Sequence, residues 1–138
     1  MYDCVKFEEL KGKVLERIDV IRSVPDKEDE IVFVVNEDEK YRLSHDQDCC
    51  EDVIIEDICG DIDDLIGVPI LMAEEASNDD TNDFWPDGVE KLIHNDSYTW
   101  TFYKLATIKG YVTIRWYGES NGYYSEEVYF ERLSKEER

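Results

Sequence analysis

A chain of 138 residues is long enough to bury a hydrophobic core, and we expect residues 1–138 to form a single domain. Its hydrophobic content of 42% argues against intrinsic disorder, which combines high charge with low hydrophobicity. The net charge of -20 at pH 7 repels nucleic acids and anionic membranes, and it favours association with a basic protein surface.

The sequence carries no sign of a membrane segment or a secretory leader. No apolar run approaches ~18 residues, and residues 1–6 lack the apolar stretch of a signal peptide. We therefore expect a cytoplasmic protein with reduced thiols, in which the four cysteines are core residues or ligands rather than disulfides. Cys49 and Cys50 are neighbours, and a disulfide between them would be strained.

The first part of the chain predicts one helical turn and three strands. Residues 7–10 are typical of a short helical turn that ends before Gly12. Residues 14–22 fit both a helical and a strand pattern, and their β-branched residues favour the strand. Residues 31–35 and 40–43 flank an acidic turn, so they predict a β-hairpin.

The middle of the chain predicts two further strands around a second helical turn. Residues 51–58 predict a strand, and residues 59–67 predict a short helical turn with Asp61 as its N-cap. Residues 68–73 predict the next strand. The polar composition of residues 77–97 predicts an exposed loop between strands.

Three segments near the C terminus alternate in the period-two pattern of strands. Residues 98–107, 111–117 and 123–130 are rich in β-branched and aromatic side chains, and they predict an antiparallel meander. The whole chain is therefore predicted to be mainly β (α+β), with an antiparallel β-sheet or partly closed barrel and one or two short helices.

Side chains that can bind a metal ion or take part in catalysis are concentrated at positions 44–51. This segment holds one of two histidines, two of four cysteines and three carboxylates. Imidazole and thiolate are preferred zinc ligands, so it predicts a structural zinc site that includes His45, Cys49 and Cys50. Glu51 is a further candidate ligand. The spacing is not that of a standard zinc finger, and the alternative is a turn that His45 holds by hydrogen bonds.

A catalytic role for the same residues is a second possibility. A cysteine beside a histidine is the raw material of a thiol nucleophile, so His45, Cys49 and Cys50 also suit a zinc- or thiol-dependent enzyme. However, the sequence has no P-loop, no dinucleotide-binding fingerprint, no Gly-x-Ser-x-Gly motif and no glycine-rich loop beside these residues. We therefore favour a protein without enzymatic activity.

An acidic run without compensating bases surrounds and follows this segment. Between Ser44 and Glu90 there are 16 Asp and Glu residues and no Lys or Arg. The run lacks the pattern of a calcium-binding loop, so a solvated acidic face is expected. We predict that a basic partner binds six of these acids: Asp61, Asp63, Asp64, Asp79, Asp80 and Asp83. The apolar pair Phe84-Trp85 is expected to pack at the core edge or to anchor a partner.

Several motifs resemble a family of small phage and bacterial proteins of uncharacterised function. They are His-Asp-Gln-Asp-Cys-Cys-Glu at residues 45–51, Gly-Asp-Ile-Asp-Asp-Leu-Ile-Gly at residues 60–67, the aromatic segment at residues 98–118, and shorter segments at residues 55–58, 69–75 and 121–125. Some members are linked to type II-A anti-CRISPR activity, in which a phage protein disables an RNA-guided Cas nuclease. The resemblance implies an inhibitor in a bacterial host cell that binds a type II-A nuclease and blocks loading of target DNA. It also strengthens the zinc prediction, because residues 45–51 are the most distinctive motif.

Overall fold

The computed structural model describes residues 2–79, 84–90 and 97–133. Within those ranges the strands are β1 (Tyr2–Cys4), β2 (Arg17–Ile21), β3 (Glu30–Asn36), β4 (Glu39–Ser44), β5 (Asp52–Cys59), β6 (Met72–Asp79), β7 (Ser97–Thr107), β8 (Gly110–Ser120) and β9 (Tyr129–Leu133). Two 3₁₀ helices span Phe7–Leu10 and Ile62–Leu65. In this part of the chain, no helix has the length and apolar character needed to cross a membrane.

The strands form two antiparallel sheets. The five-stranded sheet has the order β1-β9-β4-β3-β2, and the four-stranded sheet has the order β5-β8-β7-β6. The predicted mainly β fold with short helices is confirmed. The strands pair as two separate sheets, and the described residues form no closed barrel.

The long β7–β8 ladder shows how alternation in the sequence becomes a two-faced sheet. The two strands pair from Ser97 opposite Ser120 to Thr107 opposite Gly110. Because successive side chains of a strand point to opposite faces, Tyr103 and Leu105 lie on one face and are fully buried. Their neighbour Ile114 on β8 is also 0% exposed, so this face contributes to the core.

An aromatic cluster joins the two sheets. The ring of Phe7, on the first 3₁₀ helix, lies 4.8 Å from Tyr103 of the four-stranded sheet and 5.1 Å from Phe130 of the five-stranded sheet, centroid to centroid. Tyr41 stacks on Phe130 at 5.4 Å. Burying such large rings stabilises the packed sheets by more than their area alone, since tilted and stacked ring pairs attract each other.

The predictions for the N-terminal third are confirmed. Residues 7–10 form a 3₁₀ helix, and residues 31–35 and 40–43 lie within the β3–β4 hairpin. The segment 14–22 contains β2, which pairs with β3. Its β-branched residues thus favour the strand conformation once a neighbouring strand supplies hydrogen-bond partners.

The predictions for residues 68–73 and 77–97 are wrong in their bounds. β6 begins only at Met72 and continues to Asp79, inside the segment predicted as loop. Its residues pair with β7, and Glu75 lies opposite Tyr103. Backbone pairing with a neighbouring strand therefore outweighs the low strand propensity of this acidic segment.

The third strand of the predicted meander is also misplaced. β9 spans Tyr129–Leu133 rather than residues 123–130, and it pairs with β1 and β4 instead of β8. Residues 121–128 form the connection that crosses from one sheet to the other. Alternation identifies a strand but carries no information about which strand becomes its partner.

Candidate functional site

The turn between β4 and β5 contains a buried pair of ionisable side chains. His45 is 5% exposed and Glu51 is 1% exposed. The His45 Nε2 donates to the Glu51 Oε2 at 2.7 Å, and the His45 Nδ1 donates to the carbonyl oxygen of Glu127 at 2.6 Å. Because a carboxylate and a carbonyl both only accept hydrogen bonds, both ring nitrogens are used as donors in this arrangement. His45 and Glu51 thus form a buried ion pair.

Backbone amides complete the shell around Glu51. Its two carboxylate oxygens accept from the N–H groups of Asp48 at 2.8 Å and Cys49 at 2.9 Å. Burial raises the pKa of this carboxyl, but the hydrogen bonds from Cys49, His45 and Asp48 outweigh burial and lower its pKa to about 2. Glu51 is therefore ionised at neutral pH.

Gln47 closes the turn from the other side. Its Nε2 donates to the carbonyl oxygen of Glu51 at 2.6 Å and to that of Cys49 at 3.2 Å. The amide thereby satisfies two acceptors that the turn would leave without backbone partners. The predicted alternative, in which His45 holds the turn by hydrogen bonds, matches this arrangement.

The expectation of reduced cysteines throughout the chain is wrong for one pair. Cys49 and Cys50 are both exposed and are joined by a disulfide, whereas Cys4 and Cys59 are free and exposed. The Cα atoms of Cys49 and Cys50 are 3.7 Å apart. Glu51 holds the turn through the Cys49 amide, and the two sulfur atoms are bonded within it. The prediction of reduced cysteines considered only the cellular compartment and the composition, so it did not include this local geometry.

The residues of the turn do not fit a zinc ion. Both nitrogens of His45 are used as hydrogen-bond donors, whereas a zinc-bound imidazole needs a free lone pair. Cys49 and Cys50 share a disulfide, so neither is a thiolate. Over residues 2–79, 84–90 and 97–133, no group of three or more His, Cys, Asp or Glu side chains is arranged to hold a metal ion. The zinc site stays a prediction without an assembled ligand set.

Three of the six predicted partner-binding acids lie together. Asp61 is the N-cap of the second 3₁₀ helix and accepts from the Asp63 N–H at 3.0 Å, as the sequence predicts. Asp61 and Asp63 are exposed, and Asp64 is half-buried. We call Asp61, Asp63 and Asp64 the acidic patch. Asp79 is half-buried at the end of β6, whereas Asp80 and Asp83 lie outside the described residues.

The apolar pair Phe84-Trp85 packs onto the four-stranded sheet. The Trp85 ring lies 5.1 Å from Tyr98 and 5.2 Å from Trp100, and Phe84 lies 5.7 Å from Phe102. These contacts are on the face of the sheet opposite the main core. The pair therefore packs against the outer face of the four-stranded sheet rather than at the edge of the main core, and its predicted role as a partner anchor stays a prediction.

Sequence reasoning missed two contributors to the turn. Gln47 lies within the distinctive motif, and an amide flanked by turn residues was the available signal. The Glu127 carbonyl is separated from His45 by 82 positions, and no local pattern announces such a contact.

No curated protein and no solved structure matches this chain. The model of one domain family matches residues 8–130, which is most of the chain. The protein therefore belongs to the family described as a domain of unknown function, DUF7448.

Proposed function

We propose that this protein is a phage-type anti-CRISPR inhibitor that binds a type II-A RNA-guided Cas nuclease and blocks loading of target DNA. Such nucleases hold a guide–target heteroduplex in a positively charged channel. A protein with a net charge of -20 is attracted to such a surface over long distances. The inhibitor acts in the bacterial cytoplasm by binding, without catalysis.

The acidic patch carries this proposal. In the described part of the chain, no Lys or Arg forms an ion pair with Asp61, Asp63 or Asp64; the ion pairs of Lys and Arg involve other acids. Neighbouring carboxylates without counter-charges repel each other, and this repulsion lowers the stability of the fold even though Asp61 caps the helix. A basic surface that covers them relieves the repulsion.

Exposed apolar side chains next to the patch support a protein partner. The carboxylate of Asp64 lies against Gly110, at the turn between β7 and β8. On the same turn Ile108 is 78% exposed and Tyr111 is 51% exposed. Aromatic and aliphatic anchors beside charged residues are the composition of protein–protein contact surfaces.

The test is inhibition of target cleavage by a purified type II-A nuclease. We expect the wild-type protein to reduce cleavage when it is added before target DNA. Changing Asp61, Asp63 and Asp64 together to Asn should slow association by about tenfold at low salt, and added salt should slow the wild type likewise. A second variant with Asp79, Asp80 and Asp83 changed to Asn tests the other predicted group.

The matched control removes the same charge from the five-stranded sheet. Asp26→Asn, Glu28→Gln and Glu37→Gln together change three exposed acids in turns next to β3. This variant should inhibit like the wild type. Equal inhibition by the patch variant and the control, together with no effect of salt, would mean that the acids serve solubility alone. No inhibition by the wild type would refute the nuclease as partner.

The alternative, a zinc- or thiol-dependent enzyme at His45, Cys49 and Cys50, has less support. The imidazole is buried in an ion pair, and the two sulfur atoms share a disulfide. Neither group is placed to act as a nucleophile or as a general base in that arrangement.

A further inference from the structure

Polar side chains of the four-stranded sheet and of the connection 121–128 lie close together. A cavity of about 560 Å³ opens there, and its walls include Glu75, Ser77, Thr99, Thr101, Ser120 and Glu126. We call it the polar cavity. Its volume is within the range of about 300–1,000 Å³ that is usual for small-molecule sites.

Strand register places the lining residues of β6 and β7 on one face of the four-stranded sheet. Glu75 lies opposite Tyr103, and Ser77 lies opposite Thr101, across the β6–β7 ladder. Since Tyr103 belongs to the main core, all four side chains point to the interior side of the sheet. The core-facing surface therefore changes from apolar to hydroxyl-bearing along the same strands.

Glu126 is a nearly buried carboxylate in the wall of the cavity. It is 9% exposed, and it accepts hydrogen bonds from the hydroxyls of Thr99 and Ser120. No Lys, Arg or His among the residues that the structure describes pairs with it. The two hydroxyls direct their protons to Glu126. The Ser120 oxygen also accepts from the Gly122 N–H at 3.1 Å, so the Thr99 oxygen is the more available acceptor for a donor in the cavity.

Tyr103 lies next to the cavity and has an unpartnered hydroxyl in the described part of the chain. It is 0% exposed, and its hydroxyl has no hydrogen-bond partner in the described ranges. Burial raises the pKa of Tyr103, and so do the nearby carboxylates of Glu75 and Glu127, which both line the cavity. Tyr103 lies opposite Glu75 in the β6–β7 ladder, next to the cavity but not in its lining, and a buried hydroxyl without a partner is costly.

The charge of the cavity is negative. Its described lining includes Glu75, Glu126 and Glu127, and contains no Lys, Arg or His. Burial raises the pKa of Glu75, and repulsion from Glu8 and Glu127 raises it further. A bound cation would remove this repulsion.

We propose that the polar cavity binds an organic cation with several N–H donors, a guanidinium or alkylammonium group. Its charge pairs with Glu75 and Glu126, and its N–H groups donate to the hydroxyl oxygens that line the cavity. A metal ion fits less well, because the described residues hold no cluster of three ligating side chains. The group belongs either to a free small molecule or to a basic side chain of a protein partner. The proposal does not depend on the nuclease.

Isothermal titration with two probes tests this proposal. Agmatine represents a free cation, and a capped Gly-Arg-Gly peptide represents a partner's side chain. We expect saturable binding of at least one probe with a Kd below about 1 mM. The matching peptide with citrulline, which is neutral, should bind at least about tenfold more weakly than the arginine peptide if that peptide binds.

Three variants separate the cavity from the general negative field. Glu75→Gln and Glu126→Gln should each weaken binding by at least about tenfold. Glu74→Gln is the matched control: Glu74 is exposed on the same strand, opposite Lys104 and on the other face, and its loss should change Kd by less than about twofold. Glu75→Gln changes an exposed residue, so its fold is not at risk.

Each outcome decides the proposal. Binding of agmatine alone supports a free ligand, and binding of the arginine peptide supports a partner's side chain. Absence of saturable binding up to about 10 mM for both probes overturns the proposal. Equal affinity of all three variants and the wild type also overturns it, because the attraction is then the general effect of net charge.

Discussion

Two nearly buried carboxylates of this protein have opposite surroundings. Glu51 accepts from two backbone amides and the His45 imidazole, and all three donors are held in fixed positions by the turn. Glu126 accepts from the hydroxyls of Thr99 and Ser120, which can rotate, and it has no positive partner in the described chain. A carboxylate that is fully hydrogen-bonded by fixed donors stabilises the turn around it. A carboxylate without a counter-charge can still pair with a ligand.

The two regions are also connected. The Glu127 carbonyl that accepts from His45 belongs to the connection 121–128, and Glu127 itself lines the polar cavity. The ion pair in the turn therefore supports one wall of the cavity. This hydrogen bond fixes the position of the turn at residues 45–51 relative to the polar cavity.

The same substitution at both sites should give the largest contrast. Glu51→Gln presents an amide group to fixed N–H donors and leaves His45 without its counter-charge, so we expect a loss of roughly 3–5 kcal/mol in the free energy of unfolding. Glu126→Gln should cost less than about 1.5 kcal/mol, since its two hydroxyl partners can reorient. Urea unfolding measures both values, and equal losses would contradict the comparison.

Acid should remove the contribution of Glu51 to the free energy of unfolding. Its folded pKa is lowered from 4.5 to about 2, so its stabilisation is complete above pH 4.5 and is lost as the pH falls towards 2. The difference in unfolding free energy between wild type and Glu51→Gln should therefore be constant at neutral pH and shrink by roughly 3 kcal/mol on acidification. A difference that stays constant down to pH 2.5 would show that the carboxyl is not held ionised.

Loss of the disulfide should lower the free energy of unfolding by less than either the Glu51→Gln substitution or the protonation of Glu51. Cys49 and Cys50 enclose the shortest possible loop, so changing both to Ser should cost about 1 kcal/mol or less. Thermal unfolding of the double variant, with Cys4→Ser as the control for an exposed free cysteine, measures this cost. A loss as large as that of Glu51→Gln would mean that the disulfide, rather than the ion pair, holds the turn.

Chelation should have the smallest effect. Since the His45 nitrogens and the Cys49 and Cys50 sulfurs are already engaged, EDTA should change the Tm by less than about 1 °C. Elemental analysis of protein purified without a metal-affinity tag provides the independent check. About one zinc per chain, with a lower Tm after chelation, would restore the zinc prediction and refute the hydrogen-bonded account of the turn.

The sequence alone determined the features that depend on neighbouring residues. Alternation and β-branched residues predicted the β3–β4 hairpin and the strands β7 and β8, because side-chain period is a local property. Asp61 was identified as a helix cap for the same reason, since its carboxylate reaches an amide only two positions away. The segment 45–51 was also singled out correctly as unusual.

Only the tertiary structure decided what those local features do. The His45 side chain meets the Glu127 carbonyl across 82 positions, and this contact makes the imidazole a hydrogen-bond donor at both nitrogens instead of a zinc ligand. Likewise, β9 leaves the meander for the other sheet, and β6 forms from acidic residues because β7 offers its backbone. The polar cavity exists because strand register places Glu75 and Thr99 on one face of the sheet and the connection 121–128 brings Glu126 to Thr99, and no period in the sequence encodes either placement.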